Sequence, residues 1–384
     1  MDFCKAFDIV DQDCLWEALI KQGVQAEYVD VLMRLYCGQT GQVQCDRLSK
    51  TFSIERGTRQ GDPMSPVLFN AVLESIMRKI IPRWQSKKWG MQLNPEDFMQ
   101  NLRFADDLLL VATSLYQAKS MLKDLIDAAR QFGLEVHPEK TKIMRNGYGK
   151  SFIHNSVDID GRAFEVLPKD GASMYLGRLL TLSKTHDVEL KHRLKKAWAK
   201  FAVFRNELTN KAYSIYQRLR LFNSVLMPSA LYGCTSWVMT ATREQALRST
   251  QRKMLRSILG KGRAEGETYL SWIHRTTEEA ETLQQRYGFA EWVTEARRRK
   301  FKWAGHVSRR EDGRWTRKIL EWSVLGSRKP GHPCTRWTDS IDEFFSTAVH
   351  AGSDQEFWIT FATDRDAWKT LEADYAARFW GGYY

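Results

Sequence analysis

Two apolar runs of strand type, Asn101-Leu102-Arg103-Phe104 and Leu108-Leu109-Leu110-Val111, flank Ala105 and the pair Asp106-Asp107. Strand propensity on both sides and turn-tolerant Asp at the centre predict a β-hairpin with the acids at its tip. Upstream, Met1 to Val10 reads as a strand-like start. A helix follows over 12–22, ended by Gly23, and another over about 26–36, stopped by Gly38. Alternation at 42–45 and 51–54 predicts a hairpin, and the Gly- and Pro-rich loop from Arg56 to Pro66 opens a long apolar helix over about 66–81. After the acid hairpin, Ser114 caps a helix that runs to Phe132 and Gly133, and short strands are expected at 134–136 and 141–144. An Asp160-Gly161 turn closes a hairpin over 157–166, and 174–180 reads as one more strand.

From about His186 the period becomes helical: roughly 187–208, 212–227, 242–259, 267–286 and 288–307. A Pro/Gly/basic linker from Gly326 to Pro333 precedes two amphipathic helices near 338–350 and 364–379. The pattern is α+β in the first half and all-helical in the second, with no internal repeat.

With 384 residues and 43% hydrophobic side chains, the chain has enough apolar material for two or three packed domains. Its six cysteines, Cys4, Cys14, Cys37, Cys45, Cys234 and Cys334, show no CxxC spacing, so neither a disulfide framework nor a structural zinc site is expected. No apolar run reaches bilayer length, and the acidic start at Asp2, Asp8 and Asp11 is unlike a signal peptide. The expected compartment is cytoplasmic or nuclear.

Charge divides the chain more sharply than composition does. Residues 1–182 hold 23 Lys and Arg against 23 Asp and Glu, residues 183–329 hold 31 against 14, and residues 330–384 hold 4 against 9. A solvated basic helical face would need no partner, but so large an excess with Trp and Tyr interleaved favours a polyanion-gripping half behind a neutral, acid-bearing one.

Two adjacent anions at a hairpin tip repel one another. A hard, oxygen-preferring cation such as Mg2+ between them would remove that cost. An isolated Asp-Asp is more often a solvated turn, so the other acids and loops of the chain must decide.

Read in order, Asp2-Phe3-Cys4-Lys5-Ala6-Phe7-Asp8, the loop Arg59-Gln60-Gly61-Asp62-Pro63-Met64-Ser65-Pro66, and Phe104-Ala105-Asp106-Asp107 resemble motifs A, B and C of a reverse transcriptase of the non-LTR, LINE-type retrotransposon family. Gly133-Leu134 through Lys140-Thr141-Lys142 resembles motif D, and Tyr175-Leu176-Gly177 resembles motif E. Tyr232-Gly233 with Trp237, Arg256 to Gly260, and Trp303-Ala304-Gly305-His306-Val307 extend the likeness more loosely.

The resemblance implies RNA-directed DNA synthesis, with two Mg2+ ions, or Mn2+, and with an RNA template, a DNA primer or target and dNTPs as partners. It casts Asp2, Asp106 and Asp107 as metal ligands and Lys140 as proton donor to the leaving pyrophosphate, with Lys142 in competition. Phe3, Phe7, Arg59, Gln60 and Gly61 become substrate contacts, Phe7 as the gate against a 2′-OH. The implied domains are a palm at 1–182, a basic helical thumb at 183–260, a basic helical connection at 261–329 and acidic C-terminal helices at 330–384.

Departures accompany the matches. Motif A lies at the start, so fingers and endonuclease segments are expected to be missing, as in a truncated element copy with little primer extension of its own. His137 stands where the family usually has Asn, and Cys334 and His332 lack partners for a C-terminal Cys/His knuckle. Two other readings stay open. A group II intron-type reverse transcriptase/maturase would more often carry Tyr at position 104, and a non-catalytic nucleic-acid-binding remnant would keep only the basic half.

Overall fold

A computed structural model describes residues 1–146, 155–322, 335–348 and 355–378. The chain folds as two compact units, Met1–Gly177 with Thr181–Ser183, and Arg178–Leu180 with Lys184–Tyr384. The expected linker from Gly326 to Pro333, and Cys334 and His332, lie outside the described residues.

In the first unit, helices α1 (Gln12–Lys21), α2 (Ala26–Tyr36), α3 (Ser65–Ser86) and α4 (Leu115–Arg130) surround short strands. Pro66 stands in the first turn of α3, where its missing N–H costs nothing. The helix buries Phe69, Val72, Ile76, Met77, Ile80 and Trp84 along one side. It packs on α1 and α4, and Trp84 Nε1 donates to Asp124 of α4 at 3.0 Å. Ser114 caps α4 as expected, accepting from the Gln117 N–H.

Strands β1 (Asn101–Phe104) and β2 (Asp107–Leu110) form an antiparallel hairpin with Phe104 opposite Asp107. A three-stranded sheet follows: β4 (Ser156–Ile159) and β5 (Arg162–Val166) are antiparallel, and β3 (Lys142–Ile143) lies parallel to β5. The unit is therefore α+β with mainly antiparallel pairing.

Several elements differ from expectation, among them the strand-like start, which turns helical over Ala6–Ile9. The hairpin placed at 42–45 and 51–54 pairs Thr40–Gly41 with Phe52–Ser53 instead, so its first strand starts two residues early. The strand at 174–180 divides into Ala172–Tyr175 and Arg178–Thr181, because Leu176 (φ 49°) and Gly177 (φ 71°) both turn left-handed. The helix at 187–208 breaks at Phe204.

In the second unit, α5 (Thr185–Val203), α6 (Ile215–Ala230), α7 (Ala241–Leu259), α8 (Tyr269–Arg286) and the first turns of α9 (Trp292–Ser308) share one core that includes Phe201, Phe222, Leu247, Trp237 and Trp292. The boundary expected at 260 thus falls inside a single core. A second core is built around Phe301 of α9 and Phe344, Phe345, Trp358, Trp368 and Tyr375. These come from α10 (Asp339–Ala348), α11 (Gln355–Phe361), α12 (Arg365–Thr370) and α13 (Glu372–Ala377), so the helix expected over 364–379 is two short ones preceded by another.

Two of the buried charges in this unit are matched by opposite ones. Glu244 accepts bidentately from Arg297 at 2.7 Å, and Glu189, fully buried, accepts from Arg193 at 2.7 Å. Lys300 is enclosed too, its Nζ 2.8 Å from Ser340 Oγ and 5.1 Å from the Trp337 ring.

Candidate active site

The first residues run as an extended segment between two others. Met1 N donates to the Leu108 carbonyl at 2.8 Å and Leu108 N returns the bond to Met1 O at 3.2 Å. On the other flank, Cys4 N donates to Glu135 O (2.8 Å) and His137 N to Asp2 O (2.9 Å), around the antiparallel bridge Phe3–Val136. Met1 and Leu108 therefore form a hydrogen-bonded antiparallel pair. One step along, strand alternation turns Asp2 and Asp107 to the same face, and the Asp2 charge acts on the Asp107 carboxyl. Phe104, opposite Asp107 and 65% exposed, shares that face; Met1, Phe3 and Leu108 point the other way.

The alternation gives Phe3 a different role from the expected one. At 2% exposure it is a core side chain, and its ring is withdrawn from any substrate. Asp106 sits in the two-residue turn beside Ala105, which is held at φ 51°, a conformation that costs an L-residue about 1–2 kcal/mol. That turn lets Asp106 stand next to Asp107 at the end of the hairpin.

Negative charge accumulates here. Burial, then Asp106 and Asp2, push the Asp107 carboxyl above its ordinary pKa, partly opposed by the N-terminal ammonium. Tyr175 is pushed up by burial and by Asp107, and Cys4 by burial, Glu135 and Asp2. Lys140 places its Nζ 3.2 Å from Asp2 Oδ2. Lys142 is committed to Glu165 in the neighbouring strand pair, so of the two lysines Lys140 is the one at the acids.

The loop from Arg56 to Ser65 docks on the segment that follows Asp2. Gly57 N donates to Val10 O at 2.7 Å and Thr58 N to Phe7 O at 2.6 Å. A Cβ on Gly57 (φ +81°) would lie 2.5 Å from the Asp8 carbonyl oxygen, so only glycine permits this approach. Gln60 Nε2 donates to Asp8 Oδ1 at 2.8 Å. Gly61 (φ +85°) has open space where a side chain would begin.

Arg59 donates to the Leu35 carbonyl at the end of α2 and lies 5.3 Å over the Tyr36 ring, so its guanidinium is engaged with that helix terminus. The Phe7 ring, half-buried, packs against Phe69 with centroids 4.7 Å apart.

Three contributors were not singled out from the sequence: Gly57, Asp8 as the partner of Gln60, and Cys4 on the face of Asp2. For Asp8 and Cys4 an i, i+2 count from Asp2 along the strand would have offered a signal only for Cys4. His137 Nδ1 is buried without a hydrogen-bond partner.

The donor set, carboxylate oxygens of Asp2, Asp106 and Asp107 with the Lys140 and Met1 ammonium groups beside them, suits a hard divalent cation. Among the described residues, no three His, Cys, Asp or Glu side chains are already drawn together as a cation cage. No helix among them is long and apolar enough to cross a membrane.

A family model described as reverse transcriptase (RNA-dependent DNA polymerase) matches residues 1–180. An uncharacterized transposon-derived protein of Caenorhabditis elegans is 31% identical over 276 residues, which cover 70% of this chain and 94% of that protein. The Pol polyprotein of the type-1 retrotransposable element R2 of Popillia japonica is 28% identical over 263 residues, 67% of this chain and 41% of the polyprotein. That of the type-2 element R2DM of Drosophila melanogaster is 29% identical over 141 residues, 36% and 13% respectively. The chain thus spans less than half the length of these R2 polyproteins.

Proposed function

From its membership of the reverse transcriptase family of non-LTR retrotransposons, to which the chain belongs, we propose that it carries the palm centre for RNA-templated DNA synthesis onto a primer 3′-OH. The observation that supports this reading is the pair of hydrogen bonds between Met1 and Leu108, which sets Asp2 beside the hairpin of Asp106 and Asp107, with Lys140 against Asp2.

Enzymes of this family generally use divalent metal ions. In this reading Asp2, Asp106 and Asp107 would hold Mg2+ or Mn2+, which when bound would lower the pKa of the primer hydroxyl and offset triphosphate charge. Lys140, released from Asp2, supplies a proton to the leaving pyrophosphate. Gln60, fixed by Asp8, and Gly61, open to close approach, face the incoming nucleotide. Phe7, braced on Phe69, opposes a 2′-OH. Arg59 orients the loop through α2.

The first unit is then the palm. The helices from Thr185 to the start of α9 are a basic thumb that grips template and primer in one continuous core, and the helices after Phe301 form an appended module. The work is done where RNA template and DNA target meet, in nucleus or cytoplasm.

The test joins this chain to the upstream segment of the Popillia japonica relative and follows oligo(dT) extension on poly(rA). Extension is expected, with Asp107→Asn and Asp2→Asn each lowering it by about 10³-fold or more. Calorimetry of the unfused chain should show Mn2+ binding that Asp107→Asn weakens. Extension indifferent to both substitutions would place the catalytic centre elsewhere.

A further inference from the structure

In the second unit, α7, α8 and the turn leading into α9 enclose a cavity of about 370 Å3. That size lies near the low end of small-molecule sites, about 300–1,000 Å3. It leaves room for one flat heterocycle. Leu255 and Gln251, each 2% exposed, and Gln284, 6% exposed, line its deep part.

The two buried amides are each half used. Gln251 Oε1 accepts from the Trp292 N–H at 2.9 Å, which leaves its Nε2 donor, and Gln284 Nε2 donates to the Ala290 carbonyl at 2.9 Å, which leaves its Oε1 acceptor. A donor and an acceptor on the walls of one cavity complement the hydrogen-bonding edge of a nucleobase.

The rim is electrically balanced. Arg248 pairs with Glu291 at 2.7 Å and Arg252 with Glu281 at 2.6 Å. A lining with two cations matched by two anions gives no advantage to a phosphate and suits a neutral guest, although the surrounding chain is strongly basic.

Beside the opening stands a short aromatic row. Phe289, which lines the cavity, stacks with Tyr216 (centroids 6.0 Å, planes at 28°), and Tyr216 packs against Tyr287 at 5.4 Å. Tyr216 is 43% exposed, and the Arg286 guanidinium lies 5.9 Å from the Tyr287 ring. Tyr287 and Phe289 are half-buried, so the exposed ring of the row is Tyr216, and an exposed aromatic ring is a common stacking surface for an unpaired base.

We propose that this cavity receives one unpaired nucleobase of a single strand whose neighbouring base stacks on the Tyr216–Tyr287 platform. The inference rests on the nucleic-acid reading given above, and adds a place where a base, not a phosphate, is held.

The test compares the full chain's affinity for a short single-stranded RNA with that for a strand of equal length carrying abasic riboses, at one salt concentration. The ordinary strand should bind about 5- to 100-fold more tightly. Gln285→Trp, at an exposed lining position, should fill the cavity and shrink that preference while leaving the salt dependence unchanged. Tyr216→Leu, a surface change, should reduce it in part. Equal affinity of the wild-type chain for both strands, or a preference untouched by both substitutions, overturns the inference while the grip on the backbone stands. Binding of neither strand overturns the inference together with the reading beneath it.

Discussion

Lys300 is enclosed by Ser340 and the Trp337 ring, and burial pushes its pKa down to about 7 from an ordinary value of 10.5, against the pull of Asp339 and Asp342. Between those values the unfolded chain binds the proton and the folded chain does not, so stability rises with pH from about 7 to 10.5. Below pH 7 both states are protonated and the cost of the buried ammonium is fully present. Lys300→Met should therefore raise stability at pH 6 by roughly 1–3 kcal/mol and flatten the rise above pH 7. Urea unfolding at several pH values checks this; no gain at pH 6 would mean the ammonium is well solvated. Gly57 and Gly61 offer a second comparison at this scale. Both have positive φ, but a Cβ at Gly57 strikes the Asp8 carbonyl and one at Gly61 meets open space. Gly61→Ala should cost about 1–2 kcal/mol and Gly57→Ala clearly more, read as shifts in urea midpoint. The acids, Lys140 and Gln60 were singled out from the sequence because motif order names them. Lys300 was not, since a lysine among Arg297, Arg298, Arg299 and Lys302 reads as solvated surface until tertiary packing covers it.

At the scale of elements, Gly305 in the last turn of α9 looks like a weakness, since glycine costs a helix up to about 1 kcal/mol relative to alanine. It is there because the Trp368 indole lies against it: an added Cβ would sit 2.5 Å from Trp368 Nε1. The same indole donates to Phe301 O at 3.1 Å and stacks on the Phe301 ring at 4.1 Å. Gly305→Ala is thus expected to destabilise by about 2 kcal/mol or more despite its better helix propensity, with a change in tryptophan fluorescence as the stack shifts. Stabilisation by alanine would show that α12 moves aside at little cost. Helices with a cap and a clear period, such as Leu115–Arg130 behind Ser114 and Ala241–Leu259 ending at Gly260, could be placed within a residue or two from sequence. The break between Tyr175 and Arg178 could not, because Leu176 continues the apolar run up to Gly177 and its own left-handed φ is not one its side chain announces.

On the scale of the whole molecule, charge is divided between a neutral stretch at 1–182 and a basic one at 183–329, and the proposed grip on nucleic acid belongs to the second. Affinity of the full chain for an RNA/DNA hybrid should fall about 10³-fold or more between 50 and 200 mM salt if at least six phosphates are contacted. A flat response in a filter-binding series would contradict a backbone-tracking role. The α+β-then-helical plan was readable from periodicity. The merging of 261–296 into the core of the preceding helices was not, because which helices share a core depends on contacts far apart in sequence. The Phe301–Trp368 stack is such a contact, 67 positions long. At about 5–20 residues per second a ribosome delivers the indole roughly 3–13 s after Phe301, an age beside the microseconds in which α9 can coil. For that interval every nascent copy carries a Phe301 ring without its stacking partner, so the yield of soluble protein should depend on translation speed between codons 301 and 368 and on which chaperone waits at the exit tunnel.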